Sequence, residues 1–156
     1  MARLVRGLGL CRKLPLVDGA LRRRRTWPNR QVCYDHYRDR TFFADWPDAS
    51  LWAYVEAGTR ELGDGQVTLA YPPEWEAHIF ATVPADIWRA VPKLRPPALV
   101  VRGARSETFR RESQARMERM LPHARYVVIP RAGHLVPMER PAEVAAAVLD
   151  FLDAAT

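Results

Sequence analysis

Two short apolar runs in the last third of the chain restrict the fold more than any other feature of the sequence. The runs are residues 98–101 and 126–129, and the segment between them, residues 108–121, has the apolar spacing of a helix stopped by Pro122. Strands that are apolar on both faces are typical of a buried parallel sheet. Strand, crossover helix and strand therefore predict a parallel pair with the right-handed connection.

A further helix is expected after the second strand. Residues 143–152 repeat Val144, Val148 and Phe151 along one helical face, which completes a parallel βαβα unit and places the chain in the α/β class. Such a pair needs more strands beside it and helices on its faces. Residues 1–95 show no obvious strand pairing, so we expect part of the sheet to be missing. Self-association through the unpaired sheet edge is the alternative.

Residues 1–95 are rich in Arg, Trp and Pro, whereas residues 96–156 alternate between apolar strands and helices. We therefore divide the chain into these two regions. Prolines 92, 96 and 97 mark the boundary because they favour an extended chain. The first region predicts short helices, one capped by Asn29, one over residues 47–58 and one over residues 74–80. A turn at Asp64-Gly65 precedes a short extended piece at residues 66–70. The first region is therefore expected to be mostly helical.

The net charge of +6 is concentrated at the amino end, where residues 1–40 hold eleven Lys or Arg against three Asp. A basic segment of this kind suits a non-catalytic interaction protein that binds an acidic partner, which is the alternative function. We favour a solvated arginine-rich helix face, with no nucleic-acid or membrane partner, because no nucleic-acid module accompanies Arg22 to Arg25. No long apolar run or signal pattern is present, so a cytoplasmic location is expected.

Side chains that can take part in proton transfer follow both predicted strands. His134 lies between a glycine and apolar residues just past the second strand, and Ser106 and Glu107 follow the first. The carboxyl ends of parallel strands meet at one edge of a sheet, where α/β proteins hold their chemistry. A carboxylate that accepts from the imidazole N–H fixes its tautomer and stabilises its charged form. The pattern therefore predicts His134 as a proton-transfer group and Glu107 as its partner, with another carboxylate, such as Asp86, as the alternative.

The segments Pro97-Ala98-Leu99-Val100-Val101-Arg102-Gly103, Leu121-Pro122-His123-Ala124-Arg125 and Ala132-Gly133-His134-Leu135-Val136-Pro137-Met138-Glu139-Arg140-Pro141 resemble the carboxyl-terminal end of α/β-hydrolase fold enzymes. In that family an acid, usually Asp, follows the penultimate core strand, and the catalytic histidine follows the last. The resemblance implies a catalytic triad with His134 as base and Glu107 as acid. Residues 1–95 are similar, less specifically, to the helical cap, or lid, of such enzymes.

A cap of this kind implies an apolar pocket for a small-molecule substrate. The candidates to line that pocket are Phe42, Phe43, Trp46, Trp52 and Trp75. Each of these side chains could equally well pack in the cap's own core.

The nucleophile that the resemblance implies has no counterpart in this sequence. The family carries it in a Gly-x-Ser-x-Gly elbow upstream of the acid and the histidine, whereas the three serines here, at 50, 106 and 113, lie in no such setting. We therefore expect a fragment of a hydrolase for ester-like or related substrates, with a Ser or Asp nucleophile elsewhere, that is inactive alone. The resemblance implies no cofactor, and no histidine pair has metal-ligand spacing.

Overall fold

The computed structural model describes residues 15–82 and 86–154, which form two compact units. The first unit comprises residues 15–44 and 51–82. The second comprises residues 45–50 and 86–154. Residues 45–50 and 86–95 therefore belong to the same unit as the carboxyl-terminal segment, although the sequence analysis assigned them to the first region. No helix in the described ranges is both long and apolar enough to cross a membrane.

The first unit contains short helices and three very short strands. Its elements are α1 (Pro15–Leu21), β1 (Thr26–Trp27), α2 (Arg30–Arg38), a 3-10 turn (Thr41–Phe43), most of α3 (Asp48–Gly58), β2 (Thr59–Glu61), β3 (Val67–Leu69) and α4 (Pro73–Ala81). The helices predicted after Asn29, over residues 47–58 and over residues 74–80 are confirmed. The Asn29 side chain accepts a hydrogen bond from the backbone N–H of Val32 at 2.9 Å, which satisfies a free donor at the start of α2.

The expectation that residues 1–95 lack strand pairing is wrong. β1, β3 and β2 form a three-stranded antiparallel sheet in that order, with Trp27 and Glu61 both opposite Val67. The turn predicted at Asp64-Gly65 connects β2 to β3, and Gly65 has a φ of 83°, which favours glycine. Strands of two or three residues are too short to show alternation, and β1 pairs with a strand that is distant in sequence.

Two clusters stabilise the first unit. α1 and α4 bury Val17, Ala20 and Ala77 against each other. An aromatic cluster joins α2, the 3-10 turn and α3, with the ring of Tyr37 5.0 Å from Phe43 and 5.4 Å from Tyr54 between centroids. These distances are typical of favourable ring contacts. This small core explains why several aromatic side chains of the first unit are buried.

The second unit confirms the predicted parallel βαβα arrangement. Its elements are α5 (Ile87–Ala90), a 3-10 turn (Val91–Lys93), β4 (Leu99–Gly103), α6 (Arg111–Met120), β5 (Arg125–Ile129), α7 (Val136–Glu139) and α8 (Pro141–Asp153). β4 and β5 are parallel, from Leu99 opposite Arg125 to Gly103 opposite Ile129. The core consists of Ile129, Ala132 and Val136, with Val101, Val127 and Val144 packed against it. The carboxyl ends of β4 and β5 lead directly into the two loops that carry the candidate site.

Candidate active site

The loops that follow β4 and β5 approach each other closely. The N–H of Ala104 donates to the carbonyl of Ile129 and the N–H of Arg105 to that of Ala132, both at 2.9 Å. A methyl group on Gly103 would lie 2.5 Å from the carbonyl oxygen of Ala132 and would overlap the carbonyl of Gly133. Gly103 is therefore required at this position because any larger residue would push the two loops apart.

The loop that carries the histidine is held by charged groups at both of its ends. Arg131 has a φ of 56°, a left-handed conformation that is unfavourable for a non-glycine residue. Its carbonyl accepts from the guanidinium groups of Arg105 at 2.6 Å and Arg140 at 3.3 Å. The buried carboxylate of Glu139 accepts from the N–H of Gly133 at 2.5 Å. These charge-assisted bonds fix the backbone on which His134 stands.

The side chain next to the histidine ring is Ser106. Its Oγ lies 3.4 Å from Nδ1 of His134 and accepts a hydrogen bond from the N–H of Phe109 at 3.1 Å. Ser106 is only 6% exposed, whereas His134 is exposed. A partner at Nδ1 leaves Nε2 free to exchange a proton with a reacting group. Because the serine hydroxyl is neutral, it can orient the ring but adds no negative charge beside it.

The structure does not bring Glu107 to His134. The Glu107 side chain is 86% exposed, and its Oε2 lies 3.6 Å from Nε of Arg110. The physical reason is the turn after β4, in which the N–H of Ser106 donates to the carbonyl of Gly103 and directs residue 106 inwards. The next residue then points to solvent. The catalytic role of Glu107 stays a prediction, and this geometry does not favour it.

The sequence analysis placed Ser106 after the first strand without assigning it a role, and it assigned no role to Glu139. The signal for Ser106 was its position beside Glu107 after the strand, but the carboxylate was preferred for its charge. The signal for Glu139 was its distance of five residues from His134, which lets a short helix return the carboxylate to the histidine loop. In both cases the contact depends on loop geometry that spacing alone does not define.

A cavity of about 450 Å³ adjoins the histidine within the second unit. Ser106, His134 and Val136 line it together with Phe109, Met117 and the length of β4. A volume of this size lies within the usual range for small-molecule sites. The lining is mainly apolar, and its polar residues are His134, Ser106 and Arg102 near the carboxyl end of β4.

The aromatic pocket candidates have different surroundings. Phe42 and Phe43 line a second cavity, of about 620 Å³, within the first unit. Phe43 and Trp46 are buried, and Trp46 belongs to the second unit. Trp52 stacks on Tyr34 with ring centroids 4.4 Å apart, and Trp75 is 65% exposed. Contact with a substrate stays a prediction for all five.

Comparison with known proteins decides the family. Residues 3–147 match the model of the alpha/beta hydrolase family. The chain belongs to the alpha/beta hydrolase family. This membership agrees with the parallel β4–β5 pair and with the histidine loop after β5.

Solved alpha/beta hydrolase structures share the fold of the chain. It matches E-2-(acetamidomethylene)succinate hydrolase with a TM-score of 0.71 and 22% identity, over 88% of this chain and 52% of that one. It matches an esterase from Mycobacterium tuberculosis with a TM-score of 0.66 and 23% identity, over 97% of this chain and 49% of that one. The chain therefore spans about half the length of these hydrolases.

One curated relative matches a shorter stretch. The 3-hydroxybutyrate-oligomer hydrolase of Cupriavidus necator is 37% identical over 70 residues, which make up 45% of this chain and 24% of the relative. This alpha/beta hydrolase chain thus corresponds to about a quarter of that protein's length.

Proposed function

We propose that this chain supplies the histidine of a hydrolase that cleaves an ester-like bond in a small molecule, with His134 as general base and then general acid. The observation that carries the proposal is the position of His134 after β5, with Nδ1 3.4 Å from the hydroxyl of Ser106. The family membership supports hydrolysis, and the similarity to an esterase and two hydrolases supports the ester-like class.

The proposed mechanism uses both ring nitrogens of His134. Nε2 takes the proton of an attacking hydroxyl nucleophile as the tetrahedral intermediate forms, and then passes that proton to the leaving group. Ser106 accepts from Nδ1–H and holds the ring in the tautomer that leaves Nε2 unprotonated. Ser106 is a positioning residue in this scheme because it acts through the imidazole. The cavity beside β4 accommodates the apolar part of the substrate.

This scheme requires a nucleophile that the 156 residues do not supply in an elbow motif. None of the three serines follows a Gly-x-Ser-x-Gly pattern, and Ser106 contacts Nδ1 rather than the nitrogen that would activate it. A base without a nucleophile and an oxyanion hole retains little catalysis. We therefore expect the purified chain alone to hydrolyse p-nitrophenyl butyrate no faster than buffer, and turnover that His134→Ala abolishes would contradict this expectation.

A hybrid enzyme tests the proposed function directly. Residues 96–154 replace the corresponding strand–helix–strand–histidine segment of an alpha/beta hydrolase that carries its own Gly-x-Ser-x-Gly elbow. We expect the hybrid to hydrolyse p-nitrophenyl butyrate, while the acceptor with its own histidine changed to alanine serves as the negative control. A fluorophosphonate probe that labels the elbow serine verifies that the site is assembled. A folded, probe-reactive hybrid without turnover would refute the proposal.

The residue at position 106 is expected to control the rate of that hybrid. Ser106→Asp places a carboxylate beside Nδ1, where it stabilises the imidazolium formed in the reaction, so kcat should rise at least about tenfold. The N–H of Phe109 already points at this position and would stabilise the new charge. Glu107→Gln, the matched control, should leave kcat unchanged because Glu107 faces solvent. A loss of kcat in Glu107→Gln without a gain in Ser106→Asp would restore Glu107 as the partner.

A further inference from the structure

The cavity in the first unit combines basic and aromatic groups. Its volume of about 620 Å³ lies within the range of small-molecule sites. Within residues 15–82, four arginines line it, and Glu76 is the one acidic residue among the lining side chains. Aromatic and aliphatic side chains complete the wall, among them Tyr37, Phe42, Phe43, Tyr54 and Phe80. The cavity therefore has an apolar body and a positively charged side.

Two of the four arginines are neutralised by acids of the same unit. Arg22 forms an ion pair with Asp18. Arg23 donates to Glu76 at 2.6 Å and to the hydroxyls of Tyr37 and Tyr54 at 2.9 Å each. Burial lowers the pKa of Arg23, but the bond with Glu76 and the two tyrosines raise it more, so that the net shift is upwards. Arg23 is thus a fixed structural cation and is not available to a ligand.

The other two lining arginines, Arg24 and Arg40, have no carboxylate within ion-pair distance among residues 15–82 and 86–154. Arg24 donates through Nε to the carbonyl of Thr26 at 2.9 Å and lies 5.6 Å over the ring of Trp27. Nη2 of Arg40 lies 3.5 Å from Nε2 of His36. A guanidinium group offers five N–H donors, and these contacts use few of them. Both side chains are exposed, so a ligand in the cavity can reach them.

Both arginines act on the same imidazole. Burial lowers the pKa of His36, the charges of Arg40 and Arg24 lower it further, and Asp39 opposes them. His36 also contacts Trp27, with ring centroids 5.8 Å apart. Arg24, Arg40 and His36 all line the cavity, and the two guanidinium charges that act on His36 outweigh the opposing charge of Asp39.

We propose that this cavity binds an organic carboxylate with an apolar or aromatic body, its carboxylate held between Arg24 and Arg40. The planar guanidinium groups match a carboxylate in two-point hydrogen bonds, and the rings of Phe42 and Phe43 receive the apolar part. This site goes beyond the proposed hydrolysis and does not depend on it. Binding is measured on the chain itself, so it succeeds or fails separately from turnover.

Calorimetric titration of the full chain with 4-phenylbutyrate tests the site. We expect saturable binding that weakens as salt is added, and at least about tenfold weaker binding of the uncharged 4-phenylbutanamide. Equal affinities for acid and amide, or no binding of the acid at millimolar concentration, would overturn the proposal. Inorganic phosphate that competes as well as 4-phenylbutyrate would also overturn it, since phosphate lacks the apolar body.

Charge-matched variants locate the site. Arg24→Gln and Arg40→Gln should each weaken the affinity for 4-phenylbutyrate about tenfold. Arg60→Gln removes the same charge from an exposed position in β2 outside the cavity. This variant should change the affinity for 4-phenylbutyrate by less than about twofold. Circular dichroism verifies folding, and either cavity variant suffices if the other is unstable. Equal effects of all three variants would show that the binding is non-specific and would overturn the proposal.

NMR titration of His36 distinguishes ligand binding from a purely structural role of the two arginines, because a structural role would not change the pKa of His36 when 4-phenylbutyrate is added. A bound carboxylate offsets the two guanidinium charges, so the pKa of His36 should rise on saturation with 4-phenylbutyrate. Binding should correspondingly tighten as the pH falls through the titration of His36. An unchanged His36 titration in the saturated protein would contradict a carboxylate between Arg24 and Arg40.

Discussion

Gly103→Ala is expected to lower the free energy of unfolding of the second unit by about 3 kcal/mol, at the severe end of overpacking substitutions. The added methyl group would lie 2.5 Å from the carbonyl oxygen of Ala132 and would overlap the carbonyl of Gly133. Both obstacles are backbone atoms, so neither can move aside as a flexible side chain would. The loops after β4 and β5 must therefore separate or the variant must unfold.

Amide hydrogen exchange measures this effect at the place where it arises. The N–H groups of Ala104 and Arg105 bridge the two loops and should lose protection in Gly103→Ala. Gly19→Ala is the matched control, because nothing lies within 4 Å of a methyl group there and the position is inside α1. That variant should gain up to about 1 kcal/mol. Wild-type protection of Ala104 in Gly103→Ala would contradict the close approach of the loops.

The second unit was largely predictable because its signals are local. The apolar runs that became β4 and β5 are bounded by Gly103 and Pro130, and the helix between them ends before Pro122. The one clear displacement is at the start of α6, which begins at Arg111 instead of residue 108. The hydrogen bond from Phe109 to Ser106 Oγ holds these residues in a turn, and periodicity does not register such a bond.

The sheet of the first unit was not predictable from periodicity. β1 has two residues, and β2 and β3 have three each, so none shows an alternating pattern. The pairing of Trp27 with Val67 depends on the folded positions of the intervening helices. The turn at Asp64-Gly65 could be predicted because it depends on local residue types. The Asp64 side chain accepts a hydrogen bond from the N–H of Gln66.

The position of His134 just past a strand could be predicted from the sequence, but the side chain that lies beside its ring could not. Residues placed just past a strand end are expected at the site, and both Ser106 and Glu107 satisfy that condition. Adjacent residues of a tight turn point in different directions, so the choice between them depends on backbone hydrogen bonds. Here the bond from Ser106 N–H to the carbonyl of Gly103 decides which side chain faces the ring.

The central proposal, that His134 acts as the proton-transfer group in hydrolysis, is tested most directly by kcat/KM of the hybrid enzyme and its histidine variants. His134→Ala should lower kcat/KM for p-nitrophenyl butyrate by about 10⁴-fold, because removal of the base leaves only binding and oxyanion stabilisation. His123→Ala, which removes an exposed histidine from the turn after α6, should retain full activity. A His134→Ala hybrid that remains as active as its His123→Ala counterpart would contradict the account.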